Sequence, residues 1–213
     1  MKNTVISLRI LYPLWAIVGM YSLLYVQGQL IHLNDPALTA KKIIENDFLF
    51  RTGIMGSLIT QLIFIIVAWL LGELFKNTDK IAVQWMLILA YISIPITMLN
   101  EINQFAVLLN TNNISQMMFF IHLHQYGMTI ASLFWGLWLF PLGYLVYKSG
   151  FFPKWVGYAL YIGGLGYLIA FTIKILFPSL KPILSYTEIL TFGEVVWMLW
   201  ISIAGTKKGW TGV

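Results

Sequence analysis

The sequence predicts an all-α fold, a polytopic membrane helical bundle of six transmembrane helices with the N and C termini both cytoplasmic. Three observations lead there. The chain is 59% hydrophobic and only 10% charged, with a mean hydropathy of +0.80. Apolar stretches long enough to span, which takes roughly 20 residues, recur along all 213 residues. Basic residues in the short loops are also unevenly shared. Lys2, Arg9, Lys76, Lys80, Lys148, Lys154, Lys207 and Lys208 fall on one side, and Lys41, Lys42, Arg51, Lys174 and Lys181 on the other. The positive-inside rule makes the first side cytoplasmic. Hydrocarbon offers no water to unpaired backbone groups, and these segments are too long and too uniformly apolar for barrel strands.

The six expected spans cover residues 10–31, 51–75, 81–109, 117–147, 156–177 and 184–204. The first is read as a true span, because its apolar run exceeds a signal core and "LYVQGQLIHL" has no small-x-small cleavage site. Between spans one and two, "NDPALTAKKIIENDFLF" predicts a short amphipathic helix. Asp35 is its cap, Pro36 its first turn, and Ile43, Ile44 and Phe48 form a face lying on the membrane. Spans two and three, and four and five, are joined by the tight turns "KNTDK" and "KSGFFPKW", which make each pair antiparallel neighbours. In span five Gly157, Gly163, Gly164 and Gly166 are small enough for close helix packing, as are Gly53, Gly56 and Ser57 in span two.

No linker or low-complexity stretch divides the chain, so a single transmembrane domain over residues 1–213 is expected. All nine tryptophans (Trp15, Trp69, Trp85, Trp135, Trp138, Trp155, Trp197, Trp200 and Trp210) map toward the cytoplasmic end, as anchors at that interface. The net charge of +5 suits anionic lipid headgroups, which makes membrane lipids the expected partners and gives no indication of nucleic acid. With no cysteine, disulfides, thiolate metal sites and cysteine nucleophiles are excluded. A glycine-rich phosphate cradle would need a loop before a helix N-terminus, a context that is missing, and no cofactor is expected.

Polar residues inside the apolar runs gather in the half opposite the tryptophans. Span three ends in "NEINQF", placing Asn100, Glu101 and Gln104 in its outer third, with Asn100 and Glu101 each sharing a face with Gln104. In span four, His122, Gln125, Thr129 and Ser132 are spaced three, four and three apart and make one polar stripe. His124 is about 200° round the helix from His122, on the face of Gly127 and Ala131, and suits a helix contact. Two histidines so placed cannot grip one ion as an i, i+4 pair does. Span six adds Thr187, Thr191 and Glu194; span one adds Tyr21, Tyr25, Gln29 and His32; and Arg51 opens span two. An ionisable side chain near the bilayer centre costs about 2.5 to 3.5 kcal/mol. Glu101, Glu194 and the two histidines are therefore expected in the bundle interior, paired with one another or with Arg51.

Three stretches, "ALTAKKIIENDFLFRTGI", "FWGLWLFPLGYLVYKSGFFPKWVGYALYIGGLGYL" and "FGEVVWMLWISIAG", carry a resemblance that runs through the chain in order. The Arg at the start of span two (Arg51), the turn from Pro141 to Pro153, and Gly193 with Glu194 in span six resemble domain-of-unknown-function family 4386, uncharacterised bacterial multi-pass membrane proteins. Lys154 stands where that pattern has Arg. The resemblance implies a small helical protein of the bacterial cytoplasmic membrane and brings no activity, substrate or cofactor.

Three functions remain open from the residues. The first is a binding, sensing or transport module whose polar pocket takes a small molecule or lipid headgroup from the extracytoplasmic side. Arg51, Asn100, Glu101, Gln104, His122, His124, Gln125 and Glu194 are its candidate residues. The second is an intramembrane metal-dependent hydrolase or transferase, which needs three N or O ligands and an open position and is opposed by the histidine spacing. The third is a scaffold subunit in which these residues are interhelical glue.

Overall fold

The computed structural model describes residues 2–206, the side chains of Lys181, Ser185 and Glu188 excepted; Lys207, Lys208 and Trp210 lie outside the described residues. Every regular element among the described residues is helical. They are α1 (Lys2–Leu30), α2 (Pro36–Glu45), α3 (Asp47–Phe75), α4 (Lys80–Leu109), α5 (Ile114–Ser149), α6 (Lys154–Leu176) and α7 (Leu184–Ile203). Five of them, α1, α3, α4, α5 and α6, are long and apolar enough to cross a membrane, and α7 carries a shorter apolar stretch, Ile189–Ile203. The expected connector helix is present, with Pro36 in its first turn and Asp35 Oδ1 accepting from the Leu38 N–H at 2.9 Å. Of the face proposed, Ile43 is fully buried, which corrects its expected place, while Ile44 and Phe48 are exposed. A helix packed on the protein has to give its best apolar position to the core.

The chain groups into two compact units. One comprises Met1–Pro13, Ile65–Ser93 and Thr129–Val213, and the other Leu14–Phe64 and Ile94–Met128. The first is built on close backbone contact and stacked aromatics. Gly163 of α6 faces the backbone of Gly193 and Glu194 in α7, and a Cβ on Gly193 would run into the Ala159 carbonyl. Gly143 and Gly157 bring α5 and α6 together in the same way, so the packing role expected of the span-five glycines holds. Trp138 and Trp197 are fully buried, which corrects their expected place as interfacial anchors. Trp197 Nε1 donates to Tyr12 Oη at 2.9 Å and its ring meets that of Phe152 edge-on at 4.9 Å. Trp69, Trp85 and Trp155 are exposed, as anchors would be. Arg9 closes the end of α7 by donating to the carbonyls of Ser202 and Ile203, both at 3.0 Å.

In the turn before α4, Asp79 caps that helix through the Ala82 N–H at 3.1 Å and accepts from Lys148 at 2.7 Å and Tyr144 at 3.2 Å. The hydrogen bond from Lys148, and after it the one from the Ala82 backbone, lowers the Asp79 carboxyl to about 2.

The second unit has an apolar cluster in which Val26 and Leu30 of α1, Ile43 of α2, Phe50 of α3, Val107 of α4 and Met117 of α5 meet. α1 contains a π-helical segment, Tyr21–Val26. Its buried positions, Ser22, Val26 and Leu30, are four apart, a spacing that the wider turn keeps on one face.

Two outcomes follow. Gly193→Ala forces α6 and α7 apart and should cost roughly 1–3 kcal/mol, read as a lowered melting temperature in detergent. Because the Asp79 carboxyl is depressed, its contribution is complete above the ordinary aspartate value of about 3.9 and is lost as pH falls through about 2. Thermal melts across that window should show an acid step that Asp79→Asn removes.

Candidate functional site

The second unit holds a buried polar cluster between α3, α4 and α5. Glu101 of α4 is 2% exposed and its Oε1 accepts from Ser57 Oγ of α3 at 2.6 Å. The same oxygen lies 3.4 Å from His124 Nε2 of α5, which is 6% exposed. Gln104, one turn along α4 and 2% exposed, places its amide nitrogen 3.4 Å from both ring nitrogens of His124. Asn100, one residue before Glu101, donates to the His124 carbonyl at 2.8 Å. Gly127 makes this approach possible, since a Cβ there would collide with the Asn100 amide.

Hydrogen-bond chemistry sets the direction of the chain. A carboxylate only accepts, so the His124 proton sits on Nε2 and Nδ1 is left to accept from the Gln104 NH2. Two oxygens are then left over: Glu101 Oε2 and Gln104 Oε1 are buried without a hydrogen-bond partner among the described residues. A buried unsatisfied polar atom costs about 1–3 kcal/mol, more if charged. Beside this cluster is a cavity of about 170 Å³. Gln27 and Ile31 from the end of α1, Gln104 of α4, and Ile121, His124 and Gln125 of α5 are among its lining residues.

Of the residues singled out in the sequence, Asn100, Glu101, Gln104, His124 and Gln125 thus lie in or beside one site. His122 is exposed: it is on the opposite face from His124 and only about 12 Å along α5 from its start, at 1.5 Å per residue, close enough to the helix end to reach water. Arg51 is exposed and pairs with Asp47 one turn back at 2.6 Å, so it does not serve as partner to Glu101. Glu194 belongs to the other unit, where its carboxylate accepts from Tyr167 at 3.1 Å. Of the polar residues proposed at this end of α1, Tyr21, Tyr25 and Gln29 are exposed and His32 is half-buried, and it is Gln27 that lines the cavity. Ser57 was expected to be a packing residue, yet it is the shortest contact of Glu101. Gln61, one turn further along α3, is 4% exposed with its amide oxygen also unpartnered among the described residues, and no pattern in the sequence marked it.

Apolar helices of spanning length around a small polar interior define a multi-pass helical membrane protein. Residues 10–205 match the family described as Domain of unknown function (DUF4386), and the chain belongs to it. A stretch of 78 residues is 40% identical to an uncharacterized protein of Archaeoglobus fulgidus, covering 37% of this chain and 46% of that relative. The chain thus matches about half the length of this relative. No solved structure matches the chain.

The polar contacts differ in weight. Ser57→Ala leaves a buried carboxylate short of a donor and should cost about 1–3 kcal/mol. His122→Ala, at an exposed position, should stay within about 0.5 kcal/mol of the parent. Melting both variants in the same detergent tests the assignment of the two faces of α5.

Proposed function

We propose that this protein is a ligand-binding module of the bacterial cytoplasmic membrane, a sensor or carrier, whose site is the cavity beside Glu101, His124 and Gln104. One observation carries the reading: Gln104, which lines a cavity large enough for a small ligand group, has a buried acceptor oxygen without a partner among the described residues. Apolar pockets with a few convergent polar groups are the usual form of small-molecule sites. The excess of loop Lys and Arg at the opposite ends of the helices supports an extracytoplasmic opening. A metal-dependent hydrolase has less support, because no group of three or more His, Asp or Glu side chains able to hold an ion gathers among the described residues.

The absence of native cysteine gives a direct test. Gln27→Cys places a unique thiol on the cavity wall. A membrane-impermeant thiol reagent applied to whole cells should modify it from outside, whereas the thiol of Lys148→Cys should react only after lysis. A Gln27→Cys thiol that resists the reagent on both sides of the membrane would sink the reading.

A further inference from the structure

Resting on that reading of the cavity, we propose that its ligand is a primary ammonium group, such as an aminoethyl headgroup or a free small amine. His124 directs its proton to Glu101 and its other nitrogen to one N–H of the Gln104 NH2, and the carbonyl oxygen of Gln104, a residue that lines the cavity, is buried without a hydrogen-bond partner among the described residues. A ligand group that meets the unpartnered Gln104 oxygen has to donate to it.

Charge then separates an ammonium from a hydroxyl. Glu101 as a carboxylate has two partners among the described residues, the Ser57 hydroxyl and the His124 ring, and neither is a fixed cation. The one arginine near this end of the unit is committed to Asp47 at the surface. An ionised Glu101 sets a negative charge against His124, one of the lining residues of the cavity. An opposite charge nearby is what such a buried ion lacks, and anionic ligands are repelled by it. Size agrees: about 170 Å³ is close to the ~150 Å³ that accommodates one benzene ring, enough for an aminoethyl group and too little for a large amphiphile.

The test uses the full chain carrying Gln27→Cys in phosphatidylcholine vesicles, with the rate of thiol modification as readout. Three two-carbon probes are compared: ethanolamine, ethylene glycol and glycolate. Ethanolamine should slow modification, and about tenfold more ethylene glycol should be needed for equal protection, as expected for a charge-assisted hydrogen bond. Adding Glu101→Gln, which keeps the shape and removes the charge, should abolish that preference; its melting curve confirms folding. Equal protection by ethylene glycol, better protection by glycolate, or an ethanolamine preference that survives Glu101→Gln would each overturn the ammonium assignment. So would modification that no probe slows, and in all these cases an accessible cysteine leaves the cavity reading standing. Repeating the measurement in vesicles containing phosphatidylethanolamine identifies the source. Protection without added amine assigns a lipid headgroup, and protection only by added ethanolamine assigns a free amine.

Discussion

Hydrocarbon supplies no hydrogen bonds, so every polar group within the spanning helices has to be satisfied by the protein itself. Hydroxyls meet this constraint locally. Ser22, Thr60, Ser93, Ser132, Thr172, Thr187 and Ser202 each donate to a carbonyl three or four residues back in their own helix, a reach that short side chains have. Carboxylates and carboxamides extend past their own backbone and need partners on other helices. Glu101, Asn100 and Gln104 find them on α3 and α5, and the oxygens left over mark the place where protein partners run out.

Helix contact is made in two ways. Where Gly163 meets Gly193, or Gly143 meets Gly157, side chains are missing and backbones touch, so dispersion does the work at those contacts. In the second unit, polar side chains hold α3, α4 and α5 together around Glu101. Interhelical hydrogen bonds of this kind contribute only about 0.6 to 2 kcal/mol each. Directional contacts also leave gaps that close packing would fill, and the cavity beside Gln104 and His124 is one of them.

The helical membrane fold was legible because hydropathy over twenty residues is a large, additive signal. The α6 glycines were legible because small residues in a spanning segment have few other uses. Facing was harder. Two residues apart, His122 and His124 had to point to opposite sides, and the polar stripe His122, Gln125, Thr129 suggested the wrong one as interior for its first member. The better guide was the company of small residues: His124 shares its face with Gly127 and the fully buried Ala131, whereas a histidine close to a helix end can satisfy itself with water. On α1 the π segment changes the spacing of buried positions, so a regular period could not pick Gln27. Trp138 and Trp197 could not be told from interfacial tryptophans, since the same ring serves a core once its N–H has a partner, as Trp197 has in Tyr12. Arg51 was drawn away by Asp47, a local i, i+4 partner that needs no tertiary contact.

The identity of residue 101 bears on whether this cluster is only interhelical glue. Glutamine there would accept from Ser57 and His124 as Glu101 Oε1 does, and its NH2 would bring a donor to a place where two oxygens lack one. It would also avoid the several kcal/mol that burying an ion costs. As a structural joint, then, the carboxylate is the inferior choice, matched in its hydrogen bonds and worse in its desolvation. What it has and an amide lacks is negative charge, beside a space large enough to receive something of the opposite sign. An ionised Glu101 has no fixed cation bound to it among the described residues, and a cation placed beside it would offset part of the cost of its burial.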